Sequence, residues 1–270
     1  MIHRFLLLVA AWLLTLPMIA AAEPVMVSGC SVSNLGYLND LARFYEKKTG
    51  QKILVRGGGS IVGLSELGAD RVDIAASCQR KIPPNKDFRV IPVAWDALVF
   101  IVNKRNPVNE ITPQQVRDIY DGRVTSWKQI GGDNLRLISY VTTPEGLGGI
   151  GEALEKYLLN GKRPQIVANS SLQASSVAVW EQLVERHPEG FASTGYGSAR
   201  KRNVKLLAFN GVAPTKATII SGKYPLKRYL YLVLPKDAKP EARRFVDWVL
   251  SKEGQTHISA LGLPALAEIR

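Results

Sequence analysis

The chain has 270 residues, of which 46% are hydrophobic and 21% are charged, and its formal net charge is +12. This composition excludes an intrinsically disordered chain, and the length is sufficient for one large domain or two smaller ones. The basic residues form short, scattered clusters without interleaved aromatic residues, so we expect no nucleic-acid partner. The charge is compatible with an anionic ligand but does not identify one.

The N-terminus has the three-part layout of a secretory signal peptide. A positive start ends at Arg4, the segment Phe5–Ile19 is nearly all apolar, and Ala20–Ala22 supplies small residues. We therefore assign residues 1–22 to a signal peptide that is cleaved after about Ala22, and we predict a periplasmic location. Since no later apolar run reaches the length of a membrane span, the mature chain should meet a membrane only through a partner.

The stretch Val27–Cys30 reads Val-Ser-Gly-Cys, which resembles the acylation box of a lipoprotein. Such a box normally adjoins the apolar region, whereas here Glu23 and Pro24 intervene. The residues Pro24–Val27 also favour a β-strand. We therefore interpret the stretch as the end of a strand that delivers Cys30 to a binding site, with lipid attachment as the alternative.

Strand-like apolar runs alternate with amphipathic helical stretches along the chain. This alternation predicts an α/β fold with mostly parallel sheets and helices on both faces. The predicted elements include a strand at Val25–Ser28, a helix at Leu35–Lys48, a strand at Lys52–Val55, a helix at Val62–Leu67, and strands at Val72–Ala76, Val90–Val93, Leu98–Val102 and Leu135–Val141.

Small and polar residues follow three consecutive strands, at Gly29–Asn34, Gly57–Ser60 and Ser77–Arg80. In a parallel sheet, ligands bind beyond the carboxyl ends of the strands, where helix N-termini supply backbone N–H groups. Because small residues let these groups approach an anion closely, the three segments predict an anion-binding site.

Patterns for cofactor or catalytic chemistry are weak. Gly146–Gly151 fits G-x-G-x-x-G, but no acidic residue follows at the end of a second strand, so we reject a dinucleotide site. Beyond the signal peptide the histidines are His187 and His257, and they form no metal or nucleophile pattern. We therefore expect no enzymatic activity, no metal and no cofactor.

Six segments carry a family pattern in sequence order: Ile53–Leu64, Val72–Ser77, Ile111–Trp127, Gly190–Tyr196, Tyr224–Tyr231 and Phe245–Gln255. Together they resemble the substrate-binding proteins of phosphate ABC transporters, and Phe245–Gln255 corresponds to the family's last helix. The match runs from Val25 to Pro264. The resemblance implies a two-lobed periplasmic binding protein of type II, in which each lobe is a doubly wound, mostly parallel sheet.

The resemblance also implies the domain organisation and the ligand. Two crossover strands near Ala94–Val99 and Tyr224–Tyr229 form the hinge, residues 23–99 plus 223–270 form lobe 1, and residues 100–222 form lobe 2. The family holds phosphate in the cleft between the lobes with hydroxyls, backbone amides, an arginine and a carboxylate. We accordingly expect a small, phosphate-like inorganic anion as ligand, an ABC permease or a sensor protein as partner, and a monomer.

Six residues are the candidate ligand-binding residues by their positions in the family's motifs: Ser31, Val32, Ser60, Cys78, Gly148 and Gly149. The fourth loop departs from the family, because Thr143 stands in place of the arginine and Gly146–Gly149 replaces a glycine-serine-glycine-threonine stretch. An arginine–phosphate contact contributes roughly 1.5–3 kcal/mol. We therefore expect weaker phosphate binding, unless Arg80 or Lys81 substitutes.

The two cysteines, Cys30 and Cys78, allow two interpretations. An even number of cysteines in a secreted chain favours a disulfide. The first and third strands are neighbours in a doubly wound sheet, about 4.8 Å apart, and disulfide Cα separations are about 4.4–6.8 Å, so the two residues can be bridged. If the thiols stay reduced, they suit a thiophilic oxyanion or a soft metal better than phosphate.

The sequence thus supports two functional hypotheses. The first is a periplasmic solute-binding protein that captures phosphate or a related oxyanion for an ABC transporter or a sensor. The alternative is a binding-fold protein that has lost phosphate binding and acts as a sensory or partner-interaction module. Trp95 and Trp127, which we expect near the hinge and the cleft, would report binding by fluorescence.

Overall fold

The structure is a computed structural model that describes residues 23–79, 87–141, 148–174 and 176–269. The predicted signal peptide, residues 1–22, lies outside the described residues. The strands are β1 Val25–Gly29, β2 Ile53–Gly57, β3 Ile74–Ser77, β4 Phe88–Asn103, β5 Glu110–Ile111, β6 Ile138–Val141, β7 Ser171–Gln173, β8 Gly190–Gly195, β9 Val204–Leu206, β10 Ala208–Phe209 and β11 Lys227–Pro235.

The helices alternate with these strands. They are α1 Ser31–Ser33, which continues through a π-helical turn at Asn34–Leu38 into α2 Asn39–Thr49, then α3 Ser60–Gly68, α4 Pro113–Tyr120, α5 Gly148–Tyr157, α6 Val177–Arg186, α7 Tyr196–Ala199, α8 Lys216–Ile220, α9 Pro240–Leu250 and α10 Lys252–Ala260. Short 3₁₀ turns lie at Trp127–Ile130 and Leu266–Glu268. Within the described ranges, no helix combines the length and the apolar character needed to cross a membrane.

Local sequence explains where the helices begin and end. Helix α2 buries Leu41, Ala42 and Tyr45, which recur at helical spacing, and it ends at Gly50 in the left-handed conformation. Helix α4 begins with a capping box, in which the Thr112 side chain accepts from the backbone N–H of Gln115.

The main sheet has the strand order β2-β1-β3-β11-β4-β8-β6-β7, and β9 pairs with β4 beside this path. Strand β1 is parallel to both β2 and β3, and β6 is parallel to both β7 and β8. Strand β11 is antiparallel to β3 and to β4. The predicted α/β class is therefore confirmed, with parallel outer parts and an antiparallel centre.

Strand β4 joins the two parts of the sheet. Its first part, from Phe88 to Ala97, pairs with β11, and its second part, from Leu98 to Val102, pairs with β8. We predicted two separate strands here, but the chain stays extended because the side chains from Val93 onward are largely buried between other elements. The predicted hinge segments coincide with the crossing of β4 and the start of β11.

Two large apolar clusters lie on either side of this crossing. One contains buried residues of β1, β3, α2 and α9, including Val27, Ile74 and Phe245. The other contains the second part of β4 with β6, β8 and α6, including Phe100 and Phe191. The lobe limits given above remain a prediction.

The last helix differs from the prediction. The segment Phe245–Gln255 does not form one helix, because α9 ends at Leu250 and α10 begins at Lys252. Ser251 between them has extended backbone angles, and its hydroxyl accepts from the backbone N–H of Gly254 at 3.3 Å. An N-cap serine therefore interrupts an otherwise continuous amphipathic pattern.

Candidate functional site

A small cavity lies where the two parts of the molecule meet. Its lining residues are Cys30, Ser31, Val32, Gly58, Gly59, Ser60, Cys78, Gly148, Gly149, Ile150, Ser176, Val177 and Trp180. The cavity volume is about 40 Å³. This is a few times the roughly 10–15 Å³ that one water molecule requires, so the cavity has a size that suits a small inorganic ion.

All six candidate ligand-binding residues line this one cavity. Ser31 and Val32 begin α1, Ser60 begins α3, Cys78 follows β3, and Gly148 and Gly149 begin α5. The structure therefore brings together residues that are more than 100 positions apart in the sequence. Whether they bind a ligand stays a prediction.

The N-termini of four helical segments point toward the cavity. They are the segment from Ser31 to Thr49, α3, α5 and α6, whose first residues or N-cap residues all contribute to the lining. The first N–H groups of a helix have no partner within the helix and carry partial positive charge. Among the described lining residues none is basic, and the backbone N–H groups at these four helix starts contribute positive partial charge.

Two glycines permit this close arrangement. Gly59, the N-cap residue of α3, has φ +94°, and its N–H donates to the Gly29 carbonyl oxygen at 3.0 Å. A Cβ atom on Gly149 would lie 2.4 Å from the carbonyl carbon of Cys78. Only glycine therefore lets the start of α5 pack against the end of β3.

Two serine hydroxyls in the lining have defined orientations. The Ser60 hydroxyl accepts from the backbone N–H of Cys78 at 3.0 Å. The Ser176 hydroxyl accepts from the backbone N–H of Val179 at 3.4 Å, as an N-cap of α6. Each of these oxygens accepts one hydrogen bond within the protein, and a serine hydroxyl has one O–H donor and a second lone pair besides.

The predicted disulfide between Cys30 and Cys78 is present, with a Cα–Cα distance of 6.0 Å. It connects the residues that follow β1 and β3, which are parallel neighbours as expected. The hypothesis of a reduced thiol pair that binds a thiophilic oxyanion or a soft metal is therefore not supported, since each sulfur is bonded to the other. Among the described residues, no group of three histidine, cysteine or acidic side chains lies close enough together to hold a metal.

A buried ion pair lies behind the cavity, and sequence reasoning missed it. Arg228 donates through Nε and Nη2 to Oδ2 of Asp96 at 3.0 and 2.9 Å, and through Nη1 to the Gly149 carbonyl oxygen at 3.1 Å. The other oxygen of Asp96, Oδ1, accepts from the Gly197 N–H at 2.8 Å. The only sequence signal was the presence of opposite charges in two otherwise apolar crossover segments.

A second buried acid lies on α6, next to the cavity-lining Trp180. Glu181 accepts from Thr194 Oγ1 at 2.6 Å, from the Ser198 hydroxyl, and from Arg202 Nε at 3.2 Å. Burial raises the pKa of Glu181 above its usual range, while hydrogen bonds from Ser198, Thr194 and Arg202 oppose the shift. All of these contacts are to protein groups outside the cavity lining.

The sequence analysis expected Trp127 near the cleft as a fluorescence reporter, and the structure places it elsewhere. Trp127 is 1% exposed, its Nε1 donates to the Glu189 carbonyl oxygen, and it does not line the cavity. Trp180 lines it instead, and the ring of Trp95 packs against the ring of Tyr229 at an interplanar angle of 31°. The sequence did not indicate Trp180 as a cavity residue, because it reaches the cavity only when α6 packs against N-terminal loops that are distant in the sequence.

Four further residues of the sequence analysis lie outside the described residues. They are Thr143 and Gly146 of the fourth loop, and Arg80 and Lys81, the proposed substitutes for the missing arginine.

Comparisons with known proteins bear out the resemblance. The phosphate-binding protein PstS of Borreliella burgdorferi is 25% identical over 250 residues, which cover 89% of this chain and 89% of that protein. PstS of Bacillus subtilis is 25% identical over 242 residues, which cover 88% of this chain and 79% of the relative.

Solved structures match the fold over nearly the whole chain. A putative phosphate ABC transporter substrate-binding protein with bound phosphate from Clostridium perfringens has a TM-score of 0.77 at 21% identity, over 90% of this chain and 100% of its own. An ABC-type phosphate transport receptor from Vibrio cholerae has a TM-score of 0.65 at 25% identity, over 90% of this chain and 100% of its own. A family model described as a PBP superfamily domain matches residues 20–253. The chain therefore belongs to the PBP superfamily.

Proposed function

We propose that this chain captures phosphate or a related small oxyanion in the cavity between its two lobes. The observation that carries the proposal is the convergence of four helix N-termini and two serine hydroxyls on a cavity of about 40 Å³. Relatives named as phosphate-binding proteins support the choice of ligand.

The lining residues come from both sides of the cavity, and this arrangement couples ligand binding to closure. Ser31, Ser60 and Cys78 approach from the side of β1–β3, while Gly149 and Ser176 approach from the side of α5 and α6. An anion held by both sides has more contacts in the closed arrangement than in an open one. Its differential affinity for the two arrangements therefore drives closure.

The cellular setting is part of the same proposal. Residues 1–22 direct export and are removed after about Ala22, so the mature chain works as a periplasmic monomer. It hands its ligand to an ABC permease or reports it to a sensor protein, and it carries out no catalysis. The lobes comprise residues 23–99 with 223–270, and residues 100–222.

The alternative, a module that has lost its small ligand, is not favoured. Such a protein would be expected to fill the cavity with its own side chains, whereas a cavity of about 40 Å³ remains here.

Isothermal titration of the mature chain with phosphate, after removal of bound ions by dialysis, tests the proposal. Trp180 should report binding by fluorescence, so that Trp180→Phe loses the signal and Trp127→Phe keeps it. Ser60→Ala should weaken binding by about ten- to hundred-fold, since a hydrogen bond to a charged group contributes about 1.5–3 kcal/mol. The control Ser221→Ala changes an exposed serine outside the cavity. Absence of heat and of fluorescence change with phosphate, sulfate and arsenate would refute the proposal.

A further inference from the structure

A second and larger cavity lies beside the first, at the crossover strands β4 and β11. Its volume is about 480 Å³, within the roughly 300–1,000 Å³ that is usual for sites that bind small organic molecules. Among the described lining residues, the two cavities share Cys78 and Gly149, so they meet where α5 packs against the end of β3. We call the larger one the hinge cavity, because Trp95 and residues 227–229 of the crossover strands line it.

Four aromatic side chains, those of Trp95, Tyr157, Tyr229 and Tyr231, line the hinge cavity. The ring centroids of Trp95 and Tyr229 are 3.7 Å apart, and those of Tyr229 and Tyr231 are 6.0 Å apart. The Tyr157 hydroxyl donates to the Lys227 carbonyl oxygen at 2.9 Å, which fixes α5 against β11. Aromatic rings that are already packed present flat apolar surface at little cost in conformational entropy, so this wall suits a ligand with a flat ring.

Two lysines bring positive charge to this aromatic wall. Lys227 Nζ lies 5.4 Å from the ring centroid of Trp95, and Lys156 Nζ lies 4.8 Å from the ring centroid of Tyr157. An ammonium group within about 6 Å of a ring centroid is attracted to the face of the ring. The rings therefore hold both charges at the hinge cavity, where an anionic group of a ligand can contact them.

The charges in the lining favour an anion over a cation. Arg228 also lines the hinge cavity, but the buried carboxylate of Asp96 balances its charge. Glu152 offsets one of the two lysines, which leaves one positive charge on the described lining. In the sequence, the adjoining segments 80–86 and 142–147 add three basic residues and one acidic residue, so they do not reverse this sign. An organic cation, which an aromatic wall alone would also accept, is therefore disfavoured.

We propose that the hinge cavity is a second binding site, and that it takes a small planar aromatic anion such as an aromatic carboxylate. The ring of the ligand packs against the tyrosine rings, and its carboxylate pairs with the lysines. The two features act together, because the rings exclude water from around the carboxylate and so strengthen its attraction to the lysines. The site goes beyond the proposed capture of an oxyanion and does not depend on it.

Titration of the mature chain with 2-naphthoate, which is ionised at neutral pH, tests the inference by calorimetry. Two matched probes separate the ring from the charge. Naphthalene-2-methanol keeps the ring and lacks the charge, whereas cyclohexanecarboxylate keeps the charge and lacks the aromatic ring. Each should bind at least about three-fold more weakly than 2-naphthoate. A smaller difference for either probe, no saturable binding of 2-naphthoate, or its competitive displacement by phosphate overturns the inference.

Variants of the two lysines locate the binding site. Lys227→Met keeps the apolar stem and removes the charge, so it should weaken the binding of 2-naphthoate at least about three-fold and leave that of naphthalene-2-methanol unchanged. Lys156→Met should act in the same direction. Lys104→Met, which changes an exposed lysine outside the hinge cavity, is the control. Melting curves establish that each variant is folded.

The inference is wrong if neither variant of the hinge cavity weakens the binding of 2-naphthoate by this factor, or if Lys104→Met weakens it equally. Because Lys156 is exposed and Lys227 is only partly buried, loss of the fold is not expected from either substitution. The comparison of the three probes on the wild-type chain needs no variant and stands by itself. Binding of 2-naphthoate by a chain that does not bind phosphate would refute only the function proposed above.

Discussion

Lys201 and Asp40 form an ion pair across the two parts of the molecule, with 2.7 Å between Lys201 Nζ and Asp40 Oδ2. Asp40 lies on α2, whose buried residues belong to one apolar cluster, and Lys201 follows α7, which belongs to the other. Burial raises the pKa of Asp40, but hydrogen bonds and charges from Lys201 and Arg43 outweigh this effect, so the pKa lies below its ordinary value of 3.8.

This shift predicts an acid-sensitive contribution to stability. Because the folded-state pKa is lower than the unfolded one, the ion pair stabilises the fold above pH 3.8, and the contribution disappears as the pH falls through the folded-state value. Asp40→Asn should lower the free energy of unfolding by about 0.2–1 kcal/mol at neutral pH and by nothing in strong acid. Urea unfolding across pH measures this. Asp237→Asn, which changes an exposed residue, serves as a control. A difference in unfolding free energy between the wild type and Asp40→Asn that stays constant at all pH values would contradict the prediction.

The Arg228–Asp96 pair predicts a larger effect. Arg228→Met leaves Asp96 buried without its counter-charge, so the chain should lose about 3–5 kcal/mol of unfolding free energy. Adding Asp96→Leu should recover part of this loss, because neither charge then remains buried alone. Chemical denaturation of both variants gives the comparison. Additive losses in the double variant would show that the two residues act independently.

The contact of Gly149 with Cys78 predicts a steric effect. Gly149→Ala should destabilise the chain by about 1–3 kcal/mol and weaken phosphate binding at least about ten-fold, because α5 must move away from the cavity. Gly68→Ala is the matched control, since a Cβ there meets no atom within 4 Å and α3 already contains the residue. Melting curves and phosphate titrations measure both variants. Equal behaviour of the two would exclude the steric explanation.

The disulfide predicts a redox-dependent stability. It joins residues separated by 48 positions, and the chain-entropy relation assigns such a loop about 4 kcal/mol. Urea unfolding with and without a thiol reductant should show a loss of this size in the wild type. The double variant Cys30→Ser/Cys78→Ser should be destabilised already and should not respond to reductant. A wild-type chain insensitive to complete reduction would disprove the contribution.

The sequence predicted the N-terminal half of the cavity well. Glycine and serine runs directly after β1 and β2 are signals that the local sequence shows. The proximity of Cys30 and Cys78 could be predicted because the first and third strands are neighbours in such a sheet. The contribution of α6 was not predictable, because Ser176 and Trp180 reach the cavity only through packing between distant segments.

The hinge was only partly predictable, for a related reason. Both crossover segments could be located, but the pairing of Asp96 with Arg228 depends on the register of β4 against β11. From the sequence, Trp127 looked as suitable for the cleft as Trp180. An aromatic residue with polar neighbours in the sequence does not show whether its side chain packs toward the cleft or into the core of a lobe.

The course of β4 limits how far the cavity can open. Since this one strand of 16 residues is hydrogen-bonded on both sides of the crossing, the halves cannot swing freely as they would on a disordered tether. Rotation must bend a paired ladder, and the irregular register between Leu230 and Tyr231 is where that ladder is already interrupted. The strand pair therefore resists any relative rotation of the two halves that the proposed ion capture requires.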